Sequence, residues 1–233
     1  MEYPKSQVCK SCDNCNEKSK TFSVLSDAEL LILNRDRFEV VFEPGQMVLK
    51  QGAPATHFVS LTMGMAKLYL EGFDKKKIIL EIVKPWKLFG GPGIFTDMRY
   101  HYSVATITES AACFIPVENV KQLIRSNPAF AESMIVHSSM NGSRNFERLL
   151  SLTQKQMPGR LADVLLYLSQ DVHQTLKFNL SITRQEIGEL SNMTKESATR
   201  ILKDFENEGI IRLEGKEIEV LRIDTLREIS IRG

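Results

Sequence analysis

Apolar positions along this chain follow two periods, and the switches between them mark its parts. From Phe38 to Ile115 they fall in short runs closed by turn residues. Phe38, Val40 and Phe42 alternate before Pro44-Gly45, Val48-Leu49 precedes Gly52, and Phe58, Val59 and Leu61 precede Gly64. Ala66, Leu68 and Leu70 alternate with Lys67, Tyr69 and Glu71 ahead of Gly72; Ile78 to Val83, Val104 to Thr108 and Ala111 to Ile115 complete the set. Many short strands with Gly and Pro at the bends predict an antiparallel barrel or roll. Lys75-Lys76-Lys77 beside Asp74 reads as a solvated hairpin tip rather than a phosphate site.

Helical spacing flanks the roll. Ser26-Asp27-Ala28-Glu29 is a capping box that opens a short helix through Leu30, Leu31 and Leu33. Val117 to Gln156 is helical and interrupted at Asn127-Pro128; proline suits a first helical turn because its missing N–H is not needed there. The second of these helices, reaching Gln154, would be about 40 Å long. A seven-residue reading puts Ile135, Gly142 and Leu149 in one row and Ser138, Asn145 and Leu152 in the other. That seam is apolar at its ends and small or polar in its middle, as expected either of a helix packed on its own roll or of an adjustable two-fold dimer. Met157-Pro158-Gly159 is the expected interdomain break, followed by an amphipathic helix from Arg160 to Ser169 with Leu161, Val164, Leu165 and Leu168 on one face.

The end of the chain carries the clearest chemistry. Thr183-Arg184-Gln185-Glu186 is a second capping box and opens a helix that buries Ile187 and Leu190. After a turn at Ser191-Asn192-Met193, Thr194 caps a helix with Ala198, Ile201, Leu202 and Phe205 on one side. Lys195, Glu196, Thr199, Arg200 and Lys203 fall on the other. Two short helices joined by a tight turn form the motif that places its second helix in the DNA major groove. Arg200 suits guanine, Glu196 suits the cytosine amino group, Lys195 suits guanine or a phosphate, and Thr199 suits a base edge or a thymine methyl. Ile211 and Leu213 then face Ile218 and Val220 across Glu214-Gly215-Lys216, a hairpin wing. Helix, turn, helix and wing together predict a winged-helix DNA-binding domain and a double-stranded DNA partner.

Composition narrows the classes. The chain has 233 residues, 42% hydrophobic, enough for a core without disulfide staples. No apolar run reaches the roughly 20 residues of a membrane span, and the polar start has no signal-peptide stretch, so a cytoplasmic protein with no membrane partner is expected. No flavin or nicotinamide fingerprint and no nucleophile–base spacing occurs, so no enzyme is expected. Lys+Arg and Asp+Glu number 30 and 29; before Pro158 they are 19 and 16, and from it onward 11 and 13, a net of −2. A slightly acidic DNA-binding domain predicts modest non-specific phosphate attraction and reliance on the local cluster Arg184, Lys195, Arg200 and Lys203.

Over nearly its whole length the chain resembles the Crp/Fnr family of bacterial transcription regulators. The resemblance rests on Glu43-Pro44-Gly45, Gln51-Gly52, Met63-Gly64, the long helix, Thr183-Arg184-Gln185-Glu186-Ile187-Gly188, Arg200-Ile201-Leu202 and the wing with Gly215-Lys216. It implies an α+β protein with an antiparallel β-roll of the cyclic-nucleotide-binding kind (a double-stranded β-helix or jelly roll), a long dimerisation helix and a C-terminal winged helix-turn-helix. The expected division is a Cys-rich segment at 1–20, a sensor roll at 21–127, dimerisation helix and hinge at 128–157, and the DNA-binding domain at 158–233. A homodimer on a palindromic promoter site, in contact with RNA polymerase, is likewise implied. Thr183, Arg184 and Gln185 join the expected DNA contacts, and Ile135, Gly142, Leu149 and Leu152 the dimer contacts. Glu196 with Thr199-Arg200 is similar to the Glu-x-x-Ser-Arg signature of the Fnr branch, whereas Lys195 is nearer the Arg of the Crp branch.

Cyclic-AMP binders of the family carry a Gly-Glu segment and an Arg-Ser or Arg-Thr pair where this chain has Gly90-Gly91 and His101-Tyr102. Loss of the arginine fork argues against cyclic AMP, with Arg99 as a displaced substitute. Cys9, Cys12 and Cys15 have the tight spacing of iron–sulfur or zinc sites. Cys113, by its strand position alone a small buried hydrophobe, lies in Cys113-Phe114-Ile115-Pro116, which resembles the segment of the Fnr branch bearing its distant cluster ligand. The implied cofactor is an oxygen- or redox-sensitive iron–sulfur cluster on Cys9, Cys12, Cys15 and Cys113, which places the chain nearer the Fnr branch. The oxygen-sensing members have a further N-terminal ligand where this chain has Thr21. Zinc on the same four residues, no metal at all, or a small molecule or haem near His101, Tyr102 and Trp86 are the alternatives.

Overall fold

The computed structural model describes residues 19–233, so Cys9, Cys12 and Cys15 lie outside the described residues. In order the elements are α1 (Asp27–Asn34), β1 (Phe38–Phe42), β2 (Met47–Leu49), β3 (His57–Met63), β4 (Ala66–Glu71), β5 (Lys77–Val83), β6 (Leu88–Phe89), β7 (Ser103–Thr106), β8 (Ser110–Pro116), α2 (Val117–Ser126) and α3 (Pro128–Gln154). There follow α4 (Met157–Tyr167), β9 (Lys177–Asn179), α5 (Arg184–Ser191), α6 (Lys195–Asn207), β10 (Ile211–Glu214), β11 (Glu217–Val220) and α7 (Ile223–Arg232). They group into two units. Among the described residues one holds 19–71 with Glu81–Ser143, the other Gly72–Leu80 with Arg144–Gly233.

The roll is two four-stranded sheets, ordered β1-β8-β3-β6 and β2-β7-β4-β5, with β1–β8, β3–β8, β3–β6, β2–β7 and β4–β7 paired antiparallel. Val59, Leu61, Leu88, Ile94, Val104, Ala112 and Ile115 fill its interior. Alternation on β1 does not point the expected residues inward. Phe38 is half exposed, stacked parallel on Phe114 at 5.1 Å with His57 edge-on at 5.3 Å, so this face carries an aromatic cluster at the surface. Period-two patterning marks a strand but leaves open which face is covered.

Caps tie the helices to the roll. The Ser26–Glu29 capping box opens α1 as expected, and Glu29 Oε1 also accepts from Asn127 Nδ2 at 2.9 Å. Asn127 Oδ1 in turn accepts from the Phe130 amide at 3.0 Å, which caps α3 and fixes where it starts. Bonds from Ser26, then Asn127, hold the Glu29 carboxyl below its ordinary value.

The second unit contains the helix pair α5–α6 and a three-stranded sheet ordered β10-β11-β9. The wing has the expected register, Ile211 opposite Val220 and Leu213 opposite Ile218. Two of its elements escape a reading of the sequence: β9 is three residues long, and α7 follows the wing with only Leu226 fully buried. No helix among the described residues is long and apolar enough to cross a membrane.

Candidate nucleic-acid interface

Backbone requirements shape the helix-turn-helix before any side chain reaches outward. Thr183 caps α5, its hydroxyl accepting from the Glu186 amide at 3.2 Å while Glu186 Oε2 accepts from the Thr183 amide at 2.7 Å. Ser191 stays in the last turn because its hydroxyl donates to the Ile187 carbonyl at 2.7 Å, and Asn192 ends the helix in the left-handed region. The turn therefore begins one residue later than the sequence suggests, at Asn192. It crosses α5 at Gly188, where a Cβ would stand 2.7 Å from the Met193 carbonyl oxygen and 3.3 Å from the Lys195 nitrogen. Both neighbours are backbone and cannot swing aside, so glycine sets the approach of the two helices.

Thr194 caps α6 through the Ser197 amide at 3.2 Å. Ala198, Ile201, Leu202 and Phe205 are buried. On the other side Lys195, Glu196, Thr199, Arg200 and Lys203 line one open concavity of about 600 Å³, joined by Asp204 and Asn207. The structure thus brings the five residues expected on the recognition helix onto one face and adds two. Thr199 Oγ1 donates to the Lys195 carbonyl at 2.8 Å. Arg184 opens α5 half-buried; burial pulls its guanidinium below its ordinary value and Glu206 opposes this. Its Nη1 is buried with no hydrogen-bond partner among the described residues. Gln185 is exposed, donating to Glu189 Oε1 at 3.3 Å.

Polar bonds fasten the end of α3 onto this unit. Asp163 on α4 accepts from Lys155 at 2.8 and 2.9 Å, from the Ser151 hydroxyl at 2.5 Å and from Ser230 on α7. Arg148 donates to the carbonyls of Ile79 and Leu190.

Helix α3 has an unusual distribution of polarity. Toward the protein it presents Ser133, whose hydroxyl donates to the Thr21 carbonyl at 3.3 Å, and His137, whose Nε2 lies 3.2 Å from the Leu88 carbonyl. Toward solvent it presents Ile135, Val136, Met140, Phe146, Leu149 and Leu150, with Phe146 71% exposed. Ile135, Gly142 and Leu149 sit along this stripe as the seven-residue row expects. In the accompanying row Ser138 and Asn145 are exposed and Leu152 is half-buried, and Phe146, four residues on from Gly142, is exposed as well. Looking for the bulkiest outward residue instead of a fixed offset would have found Phe146. A Cβ on Gly142 would meet nothing within 4 Å among the described residues, so their packing does not require the glycine.

In the roll, Cys113 is buried and receives a hydrogen bond from Arg37 Nη1 at 2.9 Å. It pairs in register with Glu39 on one side and Ser60 on the other, on the strand against which α1 and α2 pack. Thr21 is buried. The Tyr102 hydroxyl accepts from the Gly90 amide at 2.9 Å, and burial pushes the phenol well above its ordinary range. A Cβ on Gly91, whose φ is +84°, would stand 3.0 Å from the Tyr102 ring. His101 is exposed and bonded to both Asp97 oxygens at 3.0 Å, and Arg99 Nη1 donates to the Gly52 carbonyl at 2.7 Å. Trp86 is 44% exposed in the β5–β6 turn. Among the described residues no group of three or more His, Cys, Asp or Glu is placed to hold a metal ion.

Comparison with known proteins agrees with both halves. Residues 39–127 match the cyclic nucleotide-binding domain and 159–229 the Crp-like helix-turn-helix domain. The chain is 26% identical over 210 residues to the CRP-like cAMP-activated global transcriptional regulator of Mycobacterium tuberculosis, covering 88% of this chain and 94% of that protein. It is 25% identical over 193 residues to the transcriptional activator protein anr of Pseudomonas aeruginosa, covering 81% and 78%. In fold it is similar to FixK2 from Bradyrhizobium japonicum, with a TM-score of 0.76, 16% identity, and coverage of 83% and 96%.

Because the Met193 carbonyl cannot move without opening the turn, Gly188→Ala should destabilise the helix-turn-helix by about 1–3 kcal/mol. Denaturant unfolding of the full chain measures this as a lower midpoint at unchanged slope.

Proposed function

We propose that this chain, a Crp/Fnr family protein in which a cyclic nucleotide-binding domain precedes a Crp-like helix-turn-helix, is a homodimeric transcription regulator that reads a palindromic promoter site. The observation that carries the reading is the single face of α6 bearing Lys195, Glu196, Thr199, Arg200 and Lys203. Arg200 presents a two-donor fork for guanine and Glu196 an acceptor for the cytosine amino group. Thr183 and Gln185 are exposed at the start of α5, where polar side chains meet phosphates, and the half-buried Arg184 lies between them. Once bound, the regulator contacts RNA polymerase. In the cell it works in the cytoplasm, and nothing in its reading calls for catalysis.

Dimerisation supplies the second half-site. Two copies related by a two-fold axis bury the α3 stripe against itself, with Phe146 at its centre and Gly142 letting the backbones approach.

For the effector, the turn at Gly90-Gly91 does not fit a cyclic nucleotide. It has no carboxylate for a ribose and no arginine pair for a phosphate, and Tyr102 stands against Gly91. His101 is already engaged by Asp97, away from the Tyr102 hydroxyl's bond to Gly90. An iron–sulfur cluster is the better fit: Arg37 Nη1 donates to Cys113 Sγ at 2.9 Å, a hydrogen bond to sulfur of the kind that tunes such clusters. Cys113 would hold the cluster from the roll, with Cys9, Cys12 and Cys15 from the N-terminal segment. The cluster would supply sensitivity to oxygen, and losing it would shift the dimer equilibrium.

Arg200→Ala should weaken binding to the selected site by a factor of about 10 to 100 and relax preference at one base pair of each half-site. Fluorescence anisotropy against single-base variants measures both. Phe146→Asp should yield a monomer by analytical ultracentrifugation that binds the full site no better than a half-site. Protein purified without oxygen should contain iron and acid-labile sulfide and lose both in Cys113→Ser; zinc in their place, or no metal, rejects the cluster.

A further inference from the structure

We propose that Thr199 reads a thymine through its methyl group, and does not donate its hydroxyl proton to a base edge. The inference rests on the DNA-binding reading of α6 above and assigns one position of the half-site within it. Thr199 is half-exposed on the face that carries Lys195, Glu196, Arg200 and Lys203. Its hydroxyl proton is already given to the Lys195 carbonyl, 2.8 Å away and four residues back along the same helix. This bond draws the oxygen against the helix backbone, and staggered geometry leaves the γ-methyl as the group presented outward.

The neighbours on this face offer charge: a guanidinium, a carboxylate and two ammonium groups. A methyl among them is the one apolar contact, and the matching apolar feature of the major groove is the 5-methyl of thymine. Covering one methyl-sized group is worth a factor of about 4 in affinity, so about 15 for a dimer engaging two half-sites. Serine at this position would make the same backbone bond and present nothing to the thymine methyl.

The test uses the full-length protein and the duplex it enriches from a randomised library. Each thymine is replaced in turn, in both half-sites, by deoxyuridine, which removes only the 5-methyl group. Anisotropy at fixed salt should find one symmetry-related position where the wild type loses about 15-fold. Thr199→Ser, which keeps the hydroxyl and lacks the methyl, should bind thymine and uracil duplexes equally. Thr199→Val, which keeps the methyl and lacks the hydroxyl, should keep the discrimination. The proposal is overturned if no thymine is sensitive, if the sensitivity survives Thr199→Ser, or if Thr199→Val abolishes it. Circular dichroism and thermal melting check that both variants keep the wild-type fold. Failure of the underlying reading looks different: no duplex is enriched, or Arg200→Ala binds the enriched duplex as tightly as wild type. Enrichment with an Arg200 dependence but no uracil effect rejects the methyl contact alone.

Discussion

A helix of 27 residues that turns Ile135, Val136, Met140, Phe146, Leu149 and Leu150 to solvent while turning Ser133 and His137 inward places a demand that the described residues do not meet. Each large apolar side chain moved from water into a packed interface gains about 1.5–3 kcal/mol, a gain that is open to the dimer proposed above. The rest of the molecule is consistent with this constraint. Asn127 fixes the start of the helix, and the Asp163 cluster fastens its end to α4 and α7.

The DNA-reading unit achieves its shape with little charge. From Pro158 onward acidic residues outnumber basic ones by two, so long-range attraction to phosphate is weak. Discrimination then depends on a rigid recognition helix, and rigidity comes from local devices: reciprocal Thr183–Glu186 bonds, the Thr194 cap and the backbone crossing at Gly188. In the dimer proposed above, pairing two such units would multiply a modest single-site affinity.

In the roll, the same architecture carries altered chemistry. Gly91 and Tyr102 are a matched pair, since any larger residue at 91 would meet the phenol ring. Cys113, which its strand position alone would make an ordinary small core residue, instead has the Arg37 guanidinium as partner. The domain matches a cyclic nucleotide-binding roll, and its cysteine and the Gly90-Gly91 turn carry the contacts described above.

Local signals were legible in the sequence wherever one stretch of chain satisfies itself. Both capping boxes, the strand runs, the proline start of α3, the wing register and the polar face of α6 follow from spacing, because partners a few residues apart make the deciding bonds. Tertiary structure alone decided what depends on distant neighbours. It placed Phe38 at the surface on Phe114 and put Phe146 rather than Leu152 on the open side of α3. It also set the turn one residue later through Ser191, and added β9 and α7, too short or too weakly patterned to announce themselves. The Thr199 hydroxyl illustrates the division. Sequence left the hydroxyl proton without an assigned partner, and the fold gives it to the Lys195 carbonyl. Periodicity determines which residues share a face; only packing determines which faces are covered and which polar atoms are already spent.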